Sequence, residues 1–101
     1  DKVINYIEEN YEKDLAISEL AKIAGFSEYY FSRIFKKQTG FSPYEYIIKT
    51  RIVSAKVLLK STNMSLREIA YKCGFSNESS FSNTFKKLTN MTPGTFRNTD
   101  I

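Results

Sequence analysis

With 101 residues, 42% of them apolar and 26% charged, the chain has the size and composition of one globular domain, or of two very small ones sharing a core. It has no histidine, which removes the commonest general base, proton shuttle and metal ligand, and its single cysteine, Cys73, supports neither an internal disulfide nor a cysteine-rich zinc site. Fifteen basic against eleven acidic residues give +4, unevenly spread: residues 1–27 carry −3 and residues 28–101 carry +7, a balance suited to a polyanion on one face.

Most small-enzyme designs are excluded on these grounds, and no cofactor or metal is expected. No stretch approaches the ~20 apolar residues of a bilayer-spanning helix, and nothing at the start reads as a signal peptide. A reducing, cytoplasmic setting is the expectation.

In chain order, Val3, Ile4, Ile7 and Tyr11 recur at helical spacing and predict a core-facing first helix. The next helix is short. Its cap position, Ala16, has no side-chain acceptor, so a weaker start is expected, with Glu19 lacking its usual capping partner. Gly25 supplies a left-handed stop, and Ser27 caps a helix over about 28–38. There Phe31, Ile34 and Phe35 point inward, opposite Tyr29, Ser32, Arg33 and Lys36.

Ser42-Pro43-Tyr44-Glu45 combines an N-cap, a first-turn proline and a capping glutamate. It opens a helix of ~17 residues, roughly 26 Å long. Its apolar positions are Tyr44, Ile47, Ile48, Ile52, Ala55, Leu58 and Leu59. Ser65 and Glu68 have capping-box spacing for another short helix, which stops at Gly74. Ser76 is then expected to cap a helix over about 77–88, with Phe81, Phe85 and Leu88 inward and Ser79, Ser82, Asn83 and Lys86 opposite. Phe26, Phe75 and Cys73 are assigned to the core. A last helix starts after Thr92, with Pro93 in its first turn and Phe96 inward. No strand-like alternation competes, so the fold class is all-α with seven helices.

An internal repeat organises these elements. Glu19, Ala21, Gly25, Phe26 and Ser27 return 49 residues later as Glu68, Ala70, Gly74, Phe75 and Ser76. After one inserted residue, Phe31, Ser32, Phe35, Lys36, Lys37, Thr39 and Pro43 return at an offset of 50 as Phe81, Ser82, Phe85, Lys86, Lys87, Thr89 and Pro93. Each copy reads as helix, tight turn, helix. Residues 1–43 form a first helix-turn-helix subdomain, 44–60 a connecting helix and 61–101 a second such subdomain.

Helix-turn-helix units place their second helix in the major groove of duplex DNA. Two unlike copies predict an asymmetric site read in successive groove segments. Arg33 is the foremost base reader, its guanidinium matching guanine O6 and N7; Asn83 matches adenine N6 and N7. Tyr29 suits a thymine methyl or a sugar, and Ser32, Ser79 and Ser82 suit base edges or phosphate. Glu78 repels phosphate and is useful only as a helix cap or as an acceptor from cytosine N4. Lys36, Lys37, Lys86 and Lys87, with the helix starts at Ser27 and Ser76, suit phosphate.

The segments "ELAKIAGFSEYYFSRIFKKQTGFSPYEYI", "RIVSAKVLL" and "IAYKCGFSNESSFSNTFKKLTNMTPGTFR" resemble the DNA-binding domain of the AraC/XylS family of bacterial transcriptional regulators. The resemblance covers nearly the whole chain. It implies two helix-turn-helix subdomains bridged by a long helix and bound near promoters. Base readout then falls to Tyr29, Ser32 and Arg33 in the first recognition helix, and to Glu78, Ser79, Ser80 and Asn83 in the second. Many members carry arginine where Asn83 stands, which implies weaker or mainly backbone-directed binding by the second unit. It further implies a severed C-terminal effector domain, more an activator's than a repressor's, monomeric alone and dimeric through a missing domain in the intact protein.

The rival reading is a protein-interaction module that contacts RNA polymerase or a regulatory partner and binds DNA weakly. Enzyme chemistry from Glu19 with Glu68, or from Glu45 with a lysine, has less support, because these glutamates have simpler capping assignments.

Overall fold

Capping residues decide where the helices begin. In the computed structural model, which describes residues 1–100, these are α1 (Lys2–Asn10), α2 (Ile17–Ala24), α3 (Glu28–Thr39), α4 (Pro43–Ser61), α5 (Leu66–Lys72), α6 (Glu78–Thr89) and α7 (Pro93–Arg97). No strand occurs among the described residues. Two reciprocal capping boxes form as their spacing predicts. The Glu45 N–H donates to Ser42 Oγ at 3.1 Å and the Ser42 N–H to Glu45 Oε1 at 2.8 Å. Ser65 and Glu68 repeat the arrangement at 3.1 and 2.9 Å.

The backbone N–H groups of Ser42 and Ser65 hold the carboxyls of Glu45 and Glu68 below the usual glutamate range. A lowered folded value means that the stabilisation is complete above the unfolded value and disappears as the pH falls through the folded one. Glu68→Gln should therefore melt below the parent at neutral pH. The gap should shrink as the pH drops past about 4.3, the ordinary glutamate value. Melting curves across an acid series check this, and a gap independent of pH would remove the charge from the cap.

Ala16 makes no side-chain cap, as expected, but Glu19 is not left idle. The Tyr6 hydroxyl donates to Glu19 Oε2 at 2.6 Å, tying the first turn of α2 to α1, and this bond raises the phenol pKa. Gly25 takes φ +80°, and its N–H and that of Phe26 close α2 on the carbonyls of Lys22 and Ala21.

The chain divides into two compact units, Asp1–Thr50 and the remainder from Arg51, with the division inside α4. The first unit is built on Val3, Ile7, Leu20, Ala21, Phe31, Phe35 and Ile47. The second buries Ile52, Ala55, Leu59, Ile69, Ala70, Cys73, Phe75, Phe81 and Phe85. Burial also pushes the Cys73 thiol pKa up, against a smaller opposing effect of a hydrogen bond to Ser54. The early turns of α4 thus belong to one interior and its later turns to the other.

The duplication reaches further than the matched letters. Tyr46 meets Phe35 at 5.5 Å between ring centroids, and Phe96, fifty positions on, meets Phe85 at 5.5 Å. The hydroxyls of Thr39 and Thr89 each donate to the carbonyl four residues back at 2.8 Å and accept from the N–H two residues on. The opening of α4 is therefore the first unit's counterpart of α7. Arg97 closes the second unit: its Nε donates to Leu59 O at 3.0 Å and its Nη2 to Thr62 O at 3.3 Å, satisfying carbonyls at the end of α4.

Three core assignments are corrected. Phe75 is 5% exposed, beneath the Arg51 guanidinium and against the Phe81 ring, whereas Phe26 is 45% exposed and meets Tyr30 edge-on at 4.9 Å. Leu88 and Tyr44 also face solvent. In α4, Pro43 and Ile47, one turn apart, hold the inward line and leave Tyr44 about 100° round the axis. In α6, Phe81 and Phe85 do the same at the expense of Leu88.

Candidate nucleic-acid interface

Burying Phe31 and Phe35 turns the opposite side of α3 to solvent. Tyr29, Ser32, Arg33, Lys36 and Lys37 stand there at i, i+3, i+4, i+7 and i+8, so they share one stripe, Ser32 half-buried and the other four exposed. Together with Ser42 they line a shallow, open depression. The structure thus brings five predicted residues together and adds Ser42, whose evident role in the sequence was capping alone.

Tyr29 is 72% exposed. The Arg33 Nη1 donates to the Tyr29 hydroxyl oxygen at 2.9 Å, and the guanidinium carbon lies 5.5 Å from the ring centroid. Ser27 caps α3, its Oγ accepting from the Tyr30 N–H at 3.3 Å. Lys36 and Lys37 stand exposed in the last turn, where the helix dipole also favours cations.

Residues 81–90 repeat the burial pattern of residues 31–40 position for position. On α6, Ser79, Asn83, Lys86 and Lys87 are exposed and Ser82 is half-buried. Ser80 is half-buried, one place round from that stripe, and its N–H donates to Asn77 Oδ1 at 2.7 Å.

That bond corrects the cap. Asn77, not Ser76, starts α6, because the inserted residue that changes the repeat offset moves Ser76 out of the capping position. Ser76 stays exposed just before the helix. Glu78 lies within the first turn rather than at the cap, where a carboxylate complements the helix dipole. Among the described residues, no group of three or more histidine, cysteine or acidic side chains is placed to hold a metal ion.

A planar cation with fixed donors, a phenol, short hydroxyls and flanking lysines on an exposed helix suit base edges set within a phosphate backbone. A family model described as a helix-turn-helix domain matches residues 20–99, spanning both units. The chain belongs to the AraC/XylS family.

This AraC/XylS domain is 37% identical over 89 residues to the probable transcriptional regulator LumQ of Photobacterium leiognathi. That match covers 88% of this chain but spans only 36% of LumQ. An AraC-type DNA-binding-domain protein from Chromobacterium violaceum superposes with a TM-score of 0.89 at 32% identity, covering 95% of this chain and 86% of the other. The DNA-binding domain of AdpA, a global transcriptional factor solved in complex with a target DNA, gives 0.89 at 27% identity, covering 94% and 86%. Family and fold are those of DNA-binding transcription regulators. Among the described residues of the AraC/XylS domain, no helix is long and apolar enough to cross a membrane.

Proposed function

We propose that the domain reads duplex DNA for a bacterial transcription regulator, each unit offering the second helix of its helix-turn-helix, α3 or α6, to a major groove. The observation that carries this reading is the solvent-facing stripe of α3, where Tyr29, Ser32 and Arg33 run directly into Lys36 and Lys37. Arg33 reads guanine, and Asn83 reads adenine from α6 with Ser79 beside it. Tyr29, Ser32, Glu78 and Ser80 make up the rest of the base-reading set. Lys36, Lys37, Lys86 and Lys87, with the backbone at Ser27 and Ser76, contact phosphate and set position and affinity. The two stripes differ in side chains, so the preferred site is asymmetric. It lies near promoters, and the parent regulator is an activator acting in the cytoplasm.

Selection from randomised double-stranded DNA across a salt series tests the reading. Enrichment of one asymmetric sequence supports it; retention of all duplexes alike, or of none, refutes it. Lys36→Ala is expected to weaken binding to every sequence similarly and to reduce the salt slope by about one unit. An unchanged slope would remove Lys36 from the phosphate contacts. A second reading, docking of RNA polymerase or a regulatory partner, draws on Val53 and Val57, one turn apart on α4 and 52% and 60% exposed. It is favoured if selection enriches nothing.

A further inference from the structure

An isolated surface arginine samples many rotamers, and ordering it on a base edge uses up binding free energy. Arg33 is not isolated. One turn back along α3, Tyr29 accepts its Nη1–H at 2.9 Å and presents its ring 5.5 Å from the guanidinium carbon. The bond engages one of the five guanidinium N–H donors, and pairing with guanine O6 and N7 needs only two of those that remain. Having accepted from Arg33, the phenol keeps its own O–H free to donate.

The geometry points to Tyr29 as a positioning residue whose hydroxyl sets the orientation in which Arg33 meets guanine. The hydroxyl then acts on sequence preference through the arginine, and the ring is left to its thymine or sugar contact. This inference rests on the proposed reading of duplex DNA by α3. The arrangement is peculiar to the first unit, since Ser79 and Asn83 occupy the equivalent positions of α6.

Tyr29→Phe removes one oxygen and keeps the ring. Tyr29 and Arg33 are both solvent-facing, so variants at either position should fold, and melting curves check that they do. The probe is the best duplex enriched from randomised DNA by the 101-residue chain, paired with the same duplex altered at the guanine where Arg33→Ala loses discrimination. Tyr29→Phe should lower the preference between the two by roughly 3- to 10-fold, the scale of one hydrogen bond, without changing the salt slope. In the Arg33→Ala background the same change should leave the affinity for either duplex unchanged.

An equal loss of affinity for the best duplex in both backgrounds would show that the phenol contacts DNA independently and would overturn the inference, as would an unchanged preference in Tyr29→Phe. If Arg33→Ala discriminates as well as the parent, or the parent enriches nothing, the proposed reading itself fails. That result appears before any tyrosine variant is measured.

Discussion

Arg33→Ala is expected to cost the domain its sequence preference at one base pair, a loss of about 1–3 kcal/mol or roughly 5- to 150-fold in affinity for the best duplex. The side chain is exposed and makes its hydrogen bond to Tyr29 in the same helix, so its removal should leave the fold intact. Arg33→Lys separates charge from shape. An ammonium keeps the attraction to DNA but lacks the planar fork, so discrimination should fall while the salt slope stays near that of the parent. Quantitative titration of the preferred and altered duplexes at several salt concentrations checks both variants. Full discrimination retained by the lysine variant would show that Arg33 serves only as a charge.

Phe81→Ala should have the largest effect on stability. The ring is wholly buried between Phe75 and Phe85, with centroids at 5.3 and 5.8 Å, and its loss leaves a cavity in the interior of the second unit. Such truncations cost about 3–5 kcal/mol, against the total of about 5–15 kcal/mol typical of a domain. For a domain of this size the melting temperature should fall by more than about 10 °C. Phe26→Ala is the control, because Phe26 already has 45% of its surface in water and its truncation should cost under about 1 kcal/mol. Thermal unfolding followed by circular dichroism compares the two. Similar shifts would mean that Phe26 is buried after all.

Helix starts and stops were the most legible part of the chain, because their chemistry is local. Ser42 with Glu45, Ser65 with Glu68, and Gly25 each act within a few residues of where they stand. What escaped depends on partners distant in sequence. Glu19 has a proper ligand in Tyr6, thirteen positions away, and Arg97 finds Leu59 across thirty-eight. Nothing near either residue signals the pairing.

Phe26 and Phe75 occupy matching places in the repeat yet differ in exposure, since burial is decided by what lies overhead, and Arg51 lies over Phe75. Asn77 was recoverable: the shift in repeat offset already marked the inserted residue that displaces Ser76. In the candidate interface, periodicity alone placed Tyr29, Ser32, Arg33 and Lys36 on one stripe, and the structure adds Lys37. The bond from Arg33 to Tyr29 depends on rotamers, which periodicity does not specify.

The matching burial of residues 31–40 and 81–90 separates two kinds of evolutionary freedom. Interior phenylalanines act as a mould cast twice, and any solvent-side lettering compatible with a helix can be stamped on either casting. Tyr29 and Arg33 on one, Ser79 and Asn83 on the other, are two such inscriptions. Under the proposed reading, a descendant of this chain would acquire a new target by rewriting a few outward letters, with the mould unchanged.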